Sequence, residues 1–314
     1  MKIGIDVGYG YVKIVYGDSR TSKMFNSVVV PAKEFAGVNS DFGDYVYETN
    51  GQKYFIGEAA FNRNSKFFQT AFEGDRLNNE VFKKLFLCGL GSCLEMDTTV
   101  EVVTGLPVSY FKTHRKEVEK FKGRHIVKLN GKDLLINIDD IKCIPQPLGT
   151  YFKLIKYHPE IMKEFILIVD VGFKTTDFLV VDNDRPLPES SSINFGMSDI
   201  GRNIVEWVNG RTEKTYRLNQ VDELLKKGYI HKGTKLPVEP DIKENAKNEL
   251  YHSIWNSLIE LFPEYTSFER IVFTGGTSEQ LDQFILKHQD DVKSIIMASE
   301  GQFSNALGYR ELLG

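Results

Sequence analysis

Two segments of this chain repeat one pattern, and the repeat restricts the folds that the chain can adopt. The first segment, IGIDVGYGYVKIVYG, begins at Ile3, and the second, LIVDVGFKTTDFLVV, begins at Leu167. Each is an apolar run that ends in Asp-Val-Gly and continues as another apolar run, which predicts a two-stranded hairpin. Asp170 stands 164 residues after its counterpart Asp6. The repeat therefore predicts two structurally related halves.

The segments after the two hairpins also follow a common order. SVVVPAK in the first half and SSSINFG in the second predict a third strand, and helical patterns come later in both halves. Asn50-Gly51 and Asn130-Gly131 separate strand-like runs and predict further hairpins. Apolar residues spaced by four, four and three predict a helix from Arg76 to Cys88. This order predicts an α/β protein of two lobes.

The composition of the chain is that of an ordinary globular protein. It has 314 residues, of which 41% are hydrophobic and 26% charged, and a net charge of −4 gives no overall attraction to nucleic acid or anionic lipid. We expect no targeting segment, and no apolar run reaches the roughly 20 residues that span a bilayer. The three cysteines are odd in number and lack CxxC spacing. They fit a reduced compartment better than a disulfide framework, so we expect a cytoplasmic protein.

The two acidic turns predict a site for a polyphosphate. An aspartate at the C-terminal end of a buried strand projects into the cleft where α/β sheets bind ligands. The glycine two residues later permits a tight turn, whose N–H groups suit phosphate oxygens. Mg²⁺ binds one or two carboxylates and keeps several waters. We therefore predict a clamp in which Asp6 and Asp170 face a magnesium ion through water.

Five separated motifs, in order along nearly the whole chain, resemble those of the actin/hexokinase/DnaK ATPase superfamily. IDVGYGYVKI and VDVGFKTTDFLVV resemble its two phosphate loops, and IVFTGGTSEQL resembles its adenosine motif. IPQPLGTYF and GQFSNALGY resemble its two interdomain connections. DIGRNIVEWV and DIKENAKNEL are similar to segments of actin itself. The chain is small and has no long insertion after the first phosphate loop. In both features it resembles bacterial or archaeal plasmid-segregation actins of the ParM/StbA type.

This resemblance implies a two-lobed actin-like fold, in which two ribonuclease-H-like domains enclose a nucleotide cleft. Residues 1–146 would form the first domain and residues 147–301 the second. A helix over about 302–314 would pack back on the first domain. The composition supports such a division, because a chain of this length suffices for two domains of about 150 residues each.

The resemblance also implies which residues bind the nucleotide. Lys13 would reach the β- and γ-phosphates, and Lys243 and Glu244 would lie beside the ribose and adenine. Gly275 and Gly276 would let the base and ribose pass close to the backbone. The complete predicted set is Gly8, Tyr9, Gly10, Lys13, Gly172, Phe173, Lys174, Thr175, Asp177, Gly201, Lys243, Glu244, Gly275 and Gly276, with ATP as the nucleotide, GTP left open, and Mg²⁺ as the metal.

Hydrolysis of a γ-phosphate needs charge neutralisation and a positioned water more than covalent chemistry. Under the resemblance, Gln146 is the candidate to orient the attacking water, because it stands where actin has a glutamine. An amide is a poor base, so Asp170 would help to polarise that water. The predicted catalytic residues are therefore Gln146, Asp170 and Asp6.

The function that the resemblance implies is ATP hydrolysis coupled to assembly into filaments, for the segregation of a plasmid or other DNA. Such actins reach DNA through a bound adaptor protein, so we expect neither direct nucleic-acid binding nor membrane binding. Two alternatives remain open, a non-polymerising ATPase switch and a small-molecule kinase, although no aspartate base stands out in a substrate insertion. A dehydratase-activating ATPase fits less well, since Cys88 and Cys93 have apolar neighbours and favour core positions.

Overall fold

The computed structural model describes residues 1–35, 45–62, 68–73 and 76–314. Before residue 146 the strands are β1 (Lys2–Val7), β2 (Tyr11–Tyr16), β3 (Thr21–Asn26), β4 (Val29–Pro31), β5 (Tyr45–Thr49), β6 (Gln52–Ile56), β7 (Phe72–Glu73), β8 (Arg76–Leu77), β9 (Thr98–Leu106), β10 (Gly123–Leu129) and β11 (Lys132–Pro145). The helices of this part are α1 (Glu58–Asn62), α2 (Asn79–Ser92) and α3 (Val108–Glu119).

The rest of the chain begins with helix α4 (Pro147–Tyr157). Its strands are β12 (Phe165–Val171), β13 (Thr176–Asp182), β14 (Arg185–Pro186), β15 (Ser191–Ile193), β16 (Tyr229–His231), β17 (Thr234–Leu236), β18 (Arg270–Thr274) and β19 (Ile295–Met297). The remaining helices are α5 (Met197–Asn209), α6 (Val221–Lys227), α7 (Pro240–Leu261), α8 (Asp282–Ile285) and α9 (Ser304–Glu311).

Each half of the chain builds a mixed sheet on one plan. The first sheet has the order β3-β2-β1-β9-β11-β10-β5-β6-β4, with β1 antiparallel to β2 and parallel to β9. The second has the order β14-β13-β12-β18-β19, and β12 is likewise antiparallel to β13 and parallel to β18. Strand β15 pairs with β13 as β3 pairs with β2. We call these sheets and their outer helices the first and second lobes.

The largest apolar cores lie within each lobe and between the lobes. One lies between the first sheet and helices α2 and α3, and a second lies between the second sheet and helices α5, α7 and α8. The third joins the inner faces of both sheets to helices α4 and α9, with Tyr151 and Tyr309 at its centre. Because this third core contains residues of both sheets, it fixes the lobes to each other. The two-lobed α/β architecture predicted from the repeat is confirmed.

Two local predictions were wrong and two were confirmed. The third strand of the first repeat is Thr21–Asn26, not the SVVVPAK segment. The chain reverses directly after β2, because Gly17 and Arg20 adopt positive φ. The SVVVPAK segment forms the next strand, β4, which pairs with β6. Helix α2 begins at Asn79, not at Arg76, since Arg76–Leu77 pairs with β7. The side chain of Asn78 accepts a hydrogen bond from the Val81 amide and caps this helix. The hairpins at Asn50-Gly51 and Asn130-Gly131 form as predicted.

The connection between the lobes consists of two helices that cross closely. Helix α4 follows β11 directly, and α9 returns from the second lobe to pack on α4 and β1. A Cβ atom built on Gly308 would lie 1.6 Å from the carbonyl oxygen of Gly149, so only glycine fits at this crossing. A domain boundary at residue 146 stays a prediction. Within the described ranges, no helix is both long enough and apolar enough to cross a membrane.

Candidate functional site

The two acidic turns have the same backbone geometry. The Gly8 amide donates a hydrogen bond of 3.0 Å to the carbonyl of Tyr11, and the Gly172 amide donates one of 2.9 Å to that of Thr175. In each case the glycine closes a four-residue turn between the two antiparallel strands of a hairpin. The turns lie at the C-terminal ends of β1 and β12, which are interior strands of their sheets. The sequence repeat is therefore a structural repeat at the cleft.

Asp6 lies at the end of β1 and is buried. Its Oδ2 atom accepts a hydrogen bond of 2.9 Å from Nζ of Lys13, its cross-strand partner on β2. Its Oδ1 atom accepts one of 2.9 Å from Nε2 of Gln146, the residue that begins the crossing to the second lobe. Three residues predicted for the site thus form one hydrogen-bonded group, in which Gln146 is 140 residues from Asp6 along the chain.

Asp170 occupies the equivalent position in the second lobe. Its Oδ2 atom accepts a hydrogen bond of 2.7 Å from Nδ2 of Asn305 on α9. Burial and the nearby charge of Asp6 raise the pKa of Asp170, whereas the hydrogen bond from Asn305 and the charge of Lys13 lower it, and the net result is a pKa of about 6. Charged groups of the first lobe, Asp6 and Lys13, thus act on this carboxyl of the second lobe.

Asp177 lies beside Asp170 on the neighbouring strand, as its cross-strand partner. Burial raises the pKa of Asp177 to about 7, and the charge of Asp170 contributes to the increase. Its Oδ1 atom accepts hydrogen bonds from the Ser192 hydroxyl and from the amide of Val108, which belongs to the first lobe. In this structure Asp177 therefore joins the lobes; contact between this side chain and a nucleotide stays a prediction.

The tips of the turns touch each other. A Cβ atom on Gly10 would lie 2.8 Å from Cγ of Phe173, so the Phe173 ring packs directly on the first turn. Nζ of Lys174 lies 5.0 Å from the ring centroid of Tyr9, within the range of a cation–π interaction. These four residues of the predicted set form the contact between the turns, and glycine at position 10 leaves the space that the Phe173 ring fills.

The glycine pair after β18 lies against the second acidic turn. Gly275 has a φ of +89°, and a Cβ atom there would lie 2.5 Å from Oδ1 of Asp170. Both the conformation and the close approach require glycine at this position. A Cβ atom on Gly276 would lie 3.4 Å from the side chain of Gln302. Gly275 is thus part of the acidic site, and Gly276 adjoins the segment that leads into α9.

Three further predicted residues have other partners in this structure. Gly201 on α5 packs against Leu218, whose Cδ1 atom lies 2.4 Å from the position of a Cβ atom at residue 201. Glu244 on α7 accepts hydrogen bonds of 2.8 Å from Lys247 and 2.9 Å from Gln283. Lys243 is half-buried beside Glu244. Contact of these three side chains or backbones with a nucleotide stays a prediction.

Two residues of this region, Asn305 and Ser192, were not predicted from the sequence. Asn305 orients Asp170 and also accepts a hydrogen bond of 2.8 Å from the hydroxyl of Thr150 on α4. Ser192 holds Asp177. A polar asparagine among the small residues of GQFSNALGY was the available signal for the first. Ser192 stands in a run of three serines, and nothing in the sequence distinguishes it from the other two.

The chemistry of the site suits a magnesium ion bound together with a phosphate. Among the described residues, no three His, Cys, Asp or Glu side chains converge as ligands of one metal. Mg²⁺ does not need such a group, because it takes one or two carboxylates and completes its shell with water and phosphate oxygens. Asp6 and Asp170 supply two buried carboxylates near one ammonium, that of Lys13. The surplus negative charge favours a bound cation.

The cysteines occupy core positions. Cys88 and Cys143 are buried thiols, and burial raises the pKa of Cys93 to about 11. Burial also raises the pKa of Cys88 well above its ordinary value and that of Cys143 to about 12. Such thiols are weak metal ligands and nucleophiles near neutral pH.

Models of two protein families match the two halves of the chain. Residues 4–149 match the model described as the N-terminal domain of actin-like proteins. Residues 168–287 match the model described as the C-terminal part of an archaeal, MreB-like actin homologue. Together the two matches cover both acidic turns and the glycine pair at Gly275. No curated protein sequence matches the chain.

Solved structures of actin homologues share the fold over the whole chain. The archaeal actin homologue Ta0583 is 18% identical and superimposes with a TM-score of 0.83, covering 99% of this chain and 98% of its own. Its complex with ADP is 19% identical, with a TM-score of 0.82 and the same coverage. The ParM protein in a 15-stranded filament from Clostridium botulinum is 24% identical, with a TM-score of 0.78, again covering 99% and 98%. The two family matches and these solved structures together show that the chain has the two-lobed actin-like fold.

Proposed function

We propose that this chain binds ATP with Mg²⁺ between the two acidic turns, hydrolyses it, and polymerises into filaments. One observation carries the proposal: Asp6, Lys13 and Gln146 form a hydrogen-bonded group, and the turn after Asp6 contacts the turn after Asp170. This arrangement places acidic groups for a metal, an ammonium for phosphate and an amide for water within one site. The similar structure of Ta0583 with ADP supports a nucleotide as the ligand.

The turns themselves would hold the phosphates. Amides of the turn beginning at Gly8 and of the turn beginning at Gly172 would donate to phosphate oxygens from opposite lobes. Lys13 would exchange its Asp6 partner for the β- and γ-phosphates, because a phosphate carries more charge than a carboxylate. The contact of Phe173 with Gly10 would exclude bulk water from the reacting end. A dry, preorganised site strengthens these electrostatic interactions.

Hydrolysis would then depend on orientation of a water molecule. Gln146 donates from Nε2 to Asp6 and keeps its amide oxygen available as an acceptor for that water. Asp170 would help to polarise the same water, because its carboxyl can accept a hydrogen bond from it. Bound Mg²⁺, held by Asp6 and Asp170 through water, would neutralise the charge that develops on the phosphates.

The filament is the proposed product of this cycle. Head-to-tail association of one chain with the next gives an open polymer when the contact does not close into a ring. The similar ParM structure from Clostridium botulinum is a filament, which supports self-association here. We propose the segregation of a plasmid or other DNA as the role, with a DNA-bound adaptor as partner. A cytoplasmic location is part of the proposal and rests on the three unpaired cysteines.

Calorimetry tests nucleotide binding. Purified protein is titrated with ATP and with GTP, with and without Mg²⁺. We expect magnesium-dependent binding that weakens at least about tenfold in the Asp170→Asn variant, since one charge–charge contact is worth about 1.4 kcal/mol or more. The matched control is Asp139→Asn, which removes an exposed aspartate. A wild-type protein that gives no heat with either triphosphate contradicts the proposal.

Light scattering and electron microscopy test assembly. We expect scattering to rise on addition of ATP and Mg²⁺, to fall after phosphate release, and to coincide with visible filaments. ATP hydrolysis without any polymer would favour the non-polymerising ATPase switch. Hydrolysis that begins only on addition of a small phosphate acceptor would favour the kinase.

A gel-shift experiment tests the adaptor. The segment HRKEVEKFKGRH is locally basic, and we expect it to form a solvated surface that binds no DNA directly. A salt-sensitive shift of DNA that disappears in an Arg115→Ala/Lys116→Ala variant would show direct binding and remove the need for an adaptor.

A further inference from the structure

Helix α3 of the first lobe obtains its N-terminal cap from the second lobe. Pro107 stands at the N-cap position and makes no side-chain cap hydrogen bond. Oδ1 of Asp177 accepts a hydrogen bond of 3.3 Å from the Val108 amide, and Oγ of Ser192 accepts one of 3.1 Å from the Ser109 amide. The first amides of a helix need such acceptors, and a carboxylate is favoured there by the helix dipole.

The two caps support each other. The Ser192 hydroxyl donates to Oδ1 of Asp177 while it accepts from Ser109, so it completes a hydrogen-bonded ring with the helix start. Asp177 is 3% exposed, and its ionised form therefore depends on these donors in place of water. We call Asp177, Ser192 and the amides of Val108 and Ser109 the interlobe clasp.

The same end of α3 holds the first acidic turn. The hydroxyl of Tyr110 lies 3.3 Å from that of Tyr9. The Tyr9 ring packs on Phe72, with 4.5 Å between the ring centroids. Nζ of Lys174, in the second lobe, lies 5.0 Å from the centroid of the same Tyr9 ring. The contacts thus lead from the second lobe through α3 to the Tyr9 turn and back to the second lobe. Separation of the lobes breaks this path at both crossings.

We infer that the interlobe clasp is a closure device for the cleft, in which Ser192 and Asp177 act as positioning residues that retain the bound nucleotide. The inference rests on the proposed function for the identity of the ligand. Opening the cleft would remove the acceptors of the Val108 and Ser109 amides at the start of α3. The clasp therefore favours the closed arrangement in which the two acidic turns oppose each other.

The test uses three variants at adjacent positions of β15. Ser192→Ala removes the bridging hydroxyl, and Ser192→Thr restores a hydroxyl on a β-branched residue that suits a strand. Ser191→Ala is the matched control, because neighbouring residues of a strand point to opposite faces of the sheet. All three changes are small and leave the apolar cores intact.

The first measurement is hydrogen–deuterium exchange of the Val108 and Ser109 amides without nucleotide. We expect exchange at Ser109 to be about fivefold faster or more in Ser192→Ala, because its acceptor is lost, and unchanged in Ser191→Ala. Ser192→Thr should return the rate to that of the wild type. Unchanged exchange in Ser192→Ala would overturn the clasp itself.

The second measurement is the dissociation rate of a fluorescent ADP after rapid mixing with excess ADP. We expect dissociation to be about five- to tenfold faster in Ser192→Ala, in line with the loss of one helix cap, and unchanged in Ser191→Ala. Faster amide exchange with unchanged ADP dissociation would overturn the role in nucleotide retention. A wild-type protein that binds no nucleotide would overturn the proposed function. The exchange measurement needs no nucleotide and would still test whether the interlobe clasp forms.

Discussion

Nζ of Lys13 lies 2.9 Å from Oδ2 of Asp6, and the two residues are direct cross-strand partners in the hairpin of β1 and β2. Their side chains are 17% and 3% exposed. Burial acts to lower the pKa of Lys13, but the charges of Asp6 and Asp170 and the hydrogen bond to Asp6 raise it above its ordinary value. Lys13 therefore keeps its positive charge at neutral pH, inside the site that we propose for phosphate.

The Lys13→Met variant should lose stability as well as nucleotide binding. Removal of one partner leaves the Asp6 carboxylate buried without its counter-charge, which costs about 3 kcal/mol in the free energy of unfolding. The Asp6→Asn/Lys13→Met double variant should recover part of that loss, because no unpaired charge remains. Urea denaturation measures the free energy of unfolding for each protein. The control is Lys227→Met, which breaks an exposed pair with Glu223 and should change stability by less than about 1 kcal/mol.

The Gln146→Ala variant should bind nucleotide and release phosphate slowly. Nε2 of Gln146 donates to Asp6, so the amide is fixed in one orientation, and loss of such a positioning group lowers the rate by about 100-fold. Phosphate release is measured at saturating ATP, and binding is measured by calorimetry. Gln52→Ala removes an exposed glutamine on β6 and should leave both quantities unchanged. Phosphate release at the wild-type rate in Gln146→Ala would exclude Gln146 from the mechanism.

The stability of the metal-free protein should fall as the pH rises from about 5 to 7.5. Burial raises the pKa of Asp170 to about 6 and that of Asp177 to about 7, above the ~3.9 of an exposed aspartate. The folded state thus holds these protons more tightly than the unfolded chain. Their contribution is complete below about pH 4 and is lost as the pH rises through the folded pKa values.

The Asp177→Asn variant isolates this effect, because asparagine resembles the protonated carboxyl at every pH. The loss of stability between the two pH values should be smaller in this variant than in the wild type, by roughly 2 kcal/mol. Denaturation curves at a series of pH values provide the comparison. Asp139→Asn, at an exposed position, should follow the wild type. Parallel pH dependence in Asp177→Asn and the wild type would show that Asp177 titrates normally.

The acidic turns could be predicted because their determinants are local. A buried strand, an aspartate and a glycine specify the turn within a few residues, and the repeat indicated that the two turns belong together. Helix α2 was predicted to begin too early, since Arg76–Leu77 pairs with β7, and apolar spacing alone does not reveal that pairing. Local patterns thus predicted the two lobes more accurately than the residues at which their helices and strands begin.

The hydrogen bonds that connect the elements could not be predicted in this way. Asn305 and Asp170 are 135 residues apart, and their contact depends on how α9 crosses α4. Ser192 and its donor Ser109 are 83 residues apart and belong to different lobes. A serine has many possible partners, and only the packing of the lobes selects one. The sequence therefore indicated the two acidic turns but not the residues that position their carboxyl groups.

The crossing of α4 and α9 provides the last prediction. A Cβ atom on Gly308 would lie 1.6 Å from the carbonyl oxygen of Gly149, a backbone atom that cannot rotate away. Gly308→Ala must therefore push the helices apart, and overpacking of this kind costs about 1–3 kcal/mol. Gly210→Ala is the matched control, because the nearest atom to its Cβ position is 3.4 Å away. Since α9 also carries Asn305, displacement of this helix should weaken ATP binding in Gly308→Ala but not in Gly210→Ala. Thermal unfolding and calorimetry measure the two effects, and a Gly308→Ala protein with wild-type stability would show that the helices do not cross at these glycines.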